Sequence, residues 1–223
     1  TSGLCSSVAH ERLAIVDLHS GEQPIVTDLP DGRRIVLAVN GEIYNHEELR
    51  AEFPEHVFGT RSDCEIIVPL YLALGPALLS RLRGMFSFVL YDDAGTVFAA
   101  RDHMGITPLY WGLDRDGRLM YGSELKSLED VEVPRAFPPG SFQVNGGPIR
   151  RWYDAPERWV TPVPGDRADL ETVRLAFENA VRRHMMSDVP WGVLLSGGLD
   201  SSLVASVAQR LYAEQQHGAG GWT

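Results

Sequence analysis

Seven consecutive residues, Ser196-Gly197-Gly198-Leu199-Asp200-Ser201-Ser202, combine glycines, hydroxyls and one carboxylate where an apolar run gives way to a helical pattern. The preceding Val189-Pro190-Trp191-Gly192-Val193-Leu194-Leu195 predicts a short buried strand, apolar nearly throughout as a parallel strand covered on both faces would be. Leu203, Val204, Val207, Ala208 and Leu211 then recur at three- and four-residue spacing, the stripe of a helix packed on a sheet. Between them two glycines let the backbone turn tightly, and the free amides of the first helical turn point outward at its positive end. An anion is the natural occupant. Ser196, Ser201 and Ser202 add donors, and Asp200 suits the place if a divalent cation bridges carboxylate and phosphate oxygens.

No Gly-Lys-Ser/Thr ending follows, so a Walker A loop and transfer of a γ-phosphate are disfavoured. The segment resembles the Ser-Gly-Gly-x-Asp-Ser pyrophosphate loop of enzymes that cleave ATP between its α- and β-phosphates and adenylate a carboxylate or carbonyl. A glycine turn with two helix-capping serines is the plainer alternative.

Three further loops carry polar groups that could bind charged atoms of a ligand. His10-Glu11-Arg12-Leu13-Ala14-Ile15-Val16-Asp17 offers an arginine for a carboxylate. Asn40-Gly41-Glu42-Ile43-Tyr44-Asn45 offers a side-chain amide and a glycine N–H for an oxyanion, and Arg61-Ser62-Asp63-Cys64-Glu65 an aspartate for an ammonium. By spacing alone each has a bland alternative: a surface ion pair at Arg12, a turn at Asn40-Gly41, a helix cap at Asp63.

The elements that must position these loops are mostly short strands. Ile35 to Asn40, Met85 to Tyr91, Thr96 to Arg101, Leu109 to Leu113 and Arg118 to Ser123 are aromatic or β-branched runs. Gly32, Asp92-Asp93-Ala94-Gly95 and Asp114-Arg115-Asp116-Gly117 punctuate them as hairpin turns. Helices are predicted at His46 to Phe53 and from Cys64 to Leu82, the latter interrupted at Gly75-Pro76 with proline opening the second piece. Pro134, Pro138, Pro139 and Gly140 mark the approach to a boundary, and Pro156, Pro162, Pro164 and Gly165 a linker. After it, Leu170, Val173, Phe177, Ala180, Val181 and His184 share a helical face. Helix, strand, glycine loop and helix in that order open an α/β nucleotide domain.

Composition limits the partners. Across 223 residues, 44% hydrophobic and 22% charged content is that of a globular protein with an ample core. A formal net charge of −10 argues against nucleic acid or an anionic membrane surface. Cys5 and Cys64 are too few for a disulfide framework, so a reducing, cytoplasmic setting is expected. The longest apolar stretch, Ile66 to Leu79, is broken by Pro69, Gly75 and Pro76 and is shorter than the ~18 residues of a membrane span.

Taken together with Arg101-Asp102-His103-Met104-Gly105-Ile106-Thr107-Pro108-Leu109-Tyr110, Ser123-Glu124-Leu125-Lys126-Ser127-Leu128 and Met186-Ser187-Asp188-Val189-Pro190, these loops closely resemble glutamine-hydrolysing asparagine synthetases, whose first domain is a class II glutamine amidotransferase. The resemblance runs from about His10 to Ala205. It implies an α+β N-terminal-nucleophile αββα sandwich over residues 1–153, a linker at 154–167, and the start of an ATP-pyrophosphatase synthetase domain at 168–223. It implies that Arg12 holds the α-carboxylate of glutamine and Asp63 its ammonium, with backbone around Leu13, Ala14, Ile15, Val16 and Glu42 lining the pocket. Asn40 and Gly41 would form the oxyanion hole. Leu195 and Leu199 would meet ATP, Ser196 to Ser202 would hold its pyrophosphate, and Asp200 would bind Mg2+. Aspartate is the implied second substrate and a homodimer the implied assembly.

The family's nucleophile, an N-terminal cysteine followed by an Arg-Gly-Pro-Asp segment, has no counterpart in this sequence. Cys5 is not terminal and reads as a packed strand residue. Thr1 is terminal and chemically eligible, but the match sets it beyond the missing strand. The chain therefore reads as truncated at both ends and inactive by itself. Two rival readings are a related ligase such as a β-lactam synthetase and a catalytically silent binding fragment.

Overall fold

The computed structural model describes residues 7–155 and 169–218. The chain divides into two compact units, Thr1–Pro156 and Glu157–Thr223.

In the first unit the strand pattern becomes a six-stranded antiparallel sheet. Its strands are β1 (Ile25–Asp28), β2 (Arg34–Ile43), β3 (Gly84–Asp92), β4 (Thr96–Arg101), β8 (Ser141–Val144) and β9 (Arg150–Arg151), in that spatial order. A second antiparallel sheet has the order β6 (Leu119–Gly122), β5 (Tyr110–Leu113), β7 (Arg135–Ala136).

The period-two alternation of the first sheet decides its two faces. Ile35, Leu37 and Val39 of β2, Phe86, Phe88 and Leu90 of β3, and Phe98 of β4 form one core with Ile66, Ile67, Leu70, Leu78 and Leu79. Those last residues belong to a 3-10 turn (Asp63–Ile66), helix α2 (Ile67–Leu74) and a second 3-10 turn (Gly75–Ser80), which cover that face. By length and composition Asp63–Ser80 could cross a membrane. Instead Ile66, Ile67, Leu70, Leu78 and Leu79 are wholly buried in the core, and the segment breaks at Gly75, whose φ is 55°. The opposite face, through Val89 and Ala99, meets Trp111 and Tyr121 of the second sheet together with Leu109 and Phe137, which flank its strands β5 and β7. The Tyr121 hydroxyl donates to Gln143 Oε1 of β8 at 2.7 Å, pinning sheet to sheet.

Three expectations change. The predicted helix from His46 to Phe53 shortens to α1 (His46–Arg50), ending ahead of Pro54, which disfavours helical geometry in the residue before it. Between Pro138-Pro139-Gly140 and the end of the first unit at Pro156 lies a strand the sequence did not show, β8, which pairs with β4 through Phe98↔Val144, Ala99↔Gln143 and Ala100↔Phe142. The predicted strand Val189 to Leu195 does not form, and the segment has no regular secondary structure. A strand's N–H and C=O groups need a ladder partner, and the described residues of the second unit contain none. Leu194 is accordingly 95% exposed rather than buried.

The described residues of the second unit hold two helices, α3 (Leu170–Arg183) and α4 (Leu199–Gly218). Asp169 caps α3, accepting from Glu171 N–H at 3.1 Å. Val181, Ala208 and Leu211 form its buried core with Phe177, Met185 and Val207. Leu170 and Val173, on the same predicted stripe, stay exposed because only the carboxyl-terminal half of α3 meets α4.

Candidate functional site

Arg12 lies in an irregular segment ahead of β1, and its own backbone holds it. Its Nη2 donates to the carbonyls of Val16 at 2.8 Å and Asp17 at 2.5 Å. A Cβ at position 21 would stand 2.5 Å from that Nη2, so Gly21 makes room for the guanidinium. The remaining donors, Nε and Nη1, bond to no described residue. Ile15 and Val16 beside it are half-buried, while Leu13 is exposed.

Asn40 follows Val39 in β2 and so sits on the face turned away from the helices, opposite Ser87. Its side chain makes no hydrogen bond to a described residue. The Gln23 amide group binds both the N–H and the carbonyl of Val39, at 2.7 and 2.9 Å, continuing β1's ladder past its end. At Gly41, two residues on, φ is 143° and a Cβ would lie 2.0 Å from the Met85 carbonyl oxygen. Only glycine fits there.

Asp63 is 5% exposed and accepts the Ile43 N–H at 2.7 Å. The neighbouring Cys64 thiol is buried and donates to the Gly41 carbonyl at 3.7 Å. Asp63 is thereby laid against the very stretch of β2 that carries Gly41. Burial raises the Asp63 carboxyl above its ordinary range, opposed by the Ile43 hydrogen bond and the His46 charge. Burial, then the charges of Glu42, Asp102 and Asp63, raise the Tyr44 phenol as well, so the surroundings of Asp63 are rich in negative charge. A cation brought there is favoured.

Sequence reasoning missed the residues that hold these loops. Asp102 is wholly buried and accepts N–H bonds from Met104 at 2.9 Å, Ile106 at 3.1 Å and Thr107 at 3.3 Å. Arg101 donates to the carbonyls of Thr107, Phe137 and Gly105 at 2.7, 2.7 and 2.8 Å. The Arg101–Tyr110 motif is thus a self-braced loop. Arg50 and Glu65 brace the loop ahead of Asp63: Arg50 donates to the Ser62 carbonyl at 2.7 Å, and Glu65 accepts the Gly59 and Thr60 amides at 2.7 and 2.8 Å.

In the second unit Gly197, with φ 84°, turns the chain into α4. Gly198's carbonyl accepts the Ser202 N–H at 3.1 Å, so the amides of Leu199, Asp200 and Ser201 precede the first intrahelical bond. The hydroxyls are folded inward: Ser196 and Ser201 meet at 2.9 Å, and Ser202 donates to Gly198 at 2.8 Å. Leu195 and Leu199 are 65% and 82% exposed. No cluster of three metal-ligating side chains occurs among the described residues. Asp200 supplies one carboxylate, which fits Mg2+ held chiefly by substrate phosphates and water. Thr1 and Cys5 lie outside the described residues.

Residues 3–138 match the family model of the glutamine amidotransferase domain. The chain belongs to the glutamine amidotransferase family. Residues 172–218 of this amidotransferase match a second model, asparagine synthase. It is 49% identical over 216 residues to an asparagine synthetase [glutamine-hydrolyzing] of Asparagus officinalis, a match covering 94% of this chain and 36% of the relative. It is 51% identical over 209 residues to the protein of that name from Triphysaria versicolor, covering 91% and 34%. The chain thus spans about a third of the length of these relatives.

Among solved structures, the allosteric regulatory enzyme of purine biosynthesis superposes with a TM-score of 0.57 at 22% identity, covering 92% of this chain and 48% of that one. Glutamine phosphoribosylpyrophosphate amidotransferase from B. subtilis superposes at 0.52 and 19%, covering 84% and 47%. At such identities the likeness concerns the fold alone, here an α+β sandwich of two antiparallel sheets with a helical layer.

Proposed function

We propose that this chain is the glutaminase portion, residues 1–153, and the opening of the synthetase portion, residues 168–223, of a glutamine-hydrolysing asparagine synthetase. The observation that carries the reading is the convergence on β2: an uncommitted Asn40 amide, an obligatory glycine beside it, and a buried Asp63 carboxylate bonded to Ile43. Arg12, with Nε and Nη1 free of described partners, supplies the carboxylate-binding group. Glutamine offers a carboxylate, an ammonium and a hydrolysable amide, which these three groups complement.

In the second unit the amides before Ser202 suit the pyrophosphate of ATP, and the hydroxyls of Ser196, Ser201 and Ser202 would join them by exchanging their bonds to one another and to Gly198. Mg2+ bound there would neutralise phosphate charge, with Asp200 as its protein ligand. Aspartate is then activated as β-aspartyl-AMP, and ammonia released from glutamine displaces AMP to give asparagine. The experiment that tests this reading assays the full-length protein for AMP release that requires aspartate and is driven by either glutamine or ammonium. AMP release indifferent to aspartate would refute it.

Arg12→Lys in that protein raises the glutamine KM. Lysine keeps the charge, but its single ammonium cannot serve the Val16 and Asp17 carbonyls and a ligand carboxylate together, as a planar guanidinium does. An unchanged KM would show that Arg12 does not touch glutamine.

Glutamine affinity depends on pH through Asp63. Its folded carboxyl is raised, so the charged form is penalised until a ligand ammonium arrives, and binding near the raised value releases a proton. Affinity is therefore full above that value and falls as pH drops through it. Asp63→Asn flattens this decline and weakens binding at neutral pH by more than about tenfold. Calorimetric titration with L-glutamine across pH checks both.

A further inference from the structure

Arg12 and Asp63 come from separate loops, yet recognition of an α-amino acid requires their spacing to be fixed to a fraction of an ångström. One buried side chain joins the two loops. Asp17 adopts a left-handed backbone, φ 58°, which aspartate tolerates better than most residues. Its Oδ1 accepts the Ser20 N–H at 3.0 Å, closing a tight turn over Gly21. Its Oδ2 accepts the Ser20 hydroxyl at 2.6 Å and, from the other loop, the Arg61 N–H at 2.7 Å, two residues before Asp63. Its own carbonyl receives the Arg12 guanidinium. Burial works against the charged carboxylate, but the Ser20, Arg61 and His19 hydrogen bonds outweigh it and hold the group at about 2. It is therefore an anion throughout the working pH range.

We propose that Asp17 is a positioning residue that sets the distance between Arg12 and Asp63, and so the affinity of the pocket for a substrate bearing both α-carboxylate and α-ammonium. This rests on the glutamine reading of Arg12 and Asp63. Asparagine at this position keeps the shape and the left-handed backbone but replaces one acceptor oxygen with a donor. It can hold the Ser20 turn or the Arg61 amide, not both.

The test is steady-state kinetics of the full-length protein. Asp17→Asn should raise the glutamine KM about tenfold, a loss of substrate binding equal in ground and transition states. The kcat for glutamine hydrolysis at saturation should stay within about twofold, and ammonium-driven synthesis should be unchanged. Ser20→Ala, which removes one donor to Oδ2 and leaves the Arg61 bond, should give a smaller KM rise with the same split, and it serves if Asp17→Asn fails to fold. An unchanged KM in the folded Asp17→Asn protein, or in Ser20→Ala where the former does not fold, overturns the proposal while leaving the glutamine reading intact. A fall in kcat and in ammonium-driven synthesis alongside a lowered Tm overturns it in favour of a purely structural role. Absence of glutamine hydrolysis from the unsubstituted protein overturns the glutamine reading itself, and this proposal with it.

Discussion

Asn40→Ala in the full-length protein slows glutamine hydrolysis by about a hundredfold or more while synthesis from added ammonium persists, because one preorganised donor to the developing oxyanion is lost. The structure makes this substitution clean. The Asn40 side chain bonds to no described residue, so its removal leaves no described partner unpaired, and alanine is accommodated in β2 opposite Ser87. Gly41→Ala is the contrasting change. A Cβ 2.0 Å from the Met85 carbonyl and 2.6 Å from the Phe86 Cα cannot be absorbed by a side-chain movement, so β2 must part from β3. That variant loses hydrolysis together with thermal stability, whereas Asn40→Ala loses hydrolysis alone. Equal loss of ammonium-driven synthesis in Asn40→Ala would make Asn40 structural.

Asp200→Asn abolishes synthesis with both glutamine and ammonium and leaves glutamine hydrolysis running, uncoupled from asparagine formation. Asp200 sits in the first turn of α4, where a carboxylate contributes roughly 0.3–1 kcal/mol to the helix whether or not a ligand is present. That structural share is small because the residue is exposed and α4 is anchored further on by Ala208 and Leu211. Loss of synthesis at unchanged Tm therefore isolates the role in Mg2+ and pyrophosphate binding. Unaltered ammonium-driven synthesis at saturating ATP and Mg2+ would remove Asp200 from that role. Loss of both activities with a lowered Tm would leave it only the structural one.

What could be read from the chain beforehand follows the range of the forces involved. Strands β2, β3 and β4 were legible because their alternation is imprinted by a helical layer on one face and a second sheet on the other. The break at Gly75-Pro76 was equally local, a left-handed glycine followed by proline in the next turn. The expected strand at Val189 to Leu195 did not form a ladder, because pairing depends on neighbours that a seven-residue run does not specify. Strand β8 escaped notice for the opposite reason: a four-residue run behind Pro138-Pro139-Gly140 resembles a boundary until β4 is there to pair with it.

The candidate site divides along the same line. Arg12, Asn40, Gly41 and Asp63 stand out by residue type, and Gly41 proves indispensable for a steric reason no composition could show. Asp17 and Asp102 were invisible as organisers. Each acts by gathering N–H groups, some from residues far along the chain, as Arg61 is from Asp17. An Asp-x-x-Ser-Gly turn at 17–21 was the only local hint.

The central claim is that the groups on and around β2 serve to deliver glutamine nitrogen to an acceptor activated by the second unit. The most direct measurement supplies the full-length protein with glutamine labelled with 15N in its side-chain amide, together with aspartate, ATP and Mg2+, and follows the label. The account predicts 15N in the side-chain amide of newly formed asparagine, with glutamate, AMP and pyrophosphate appearing in equal amounts. Glutamine left intact while AMP accumulates, or label reaching solution but never asparagine, would contradict it.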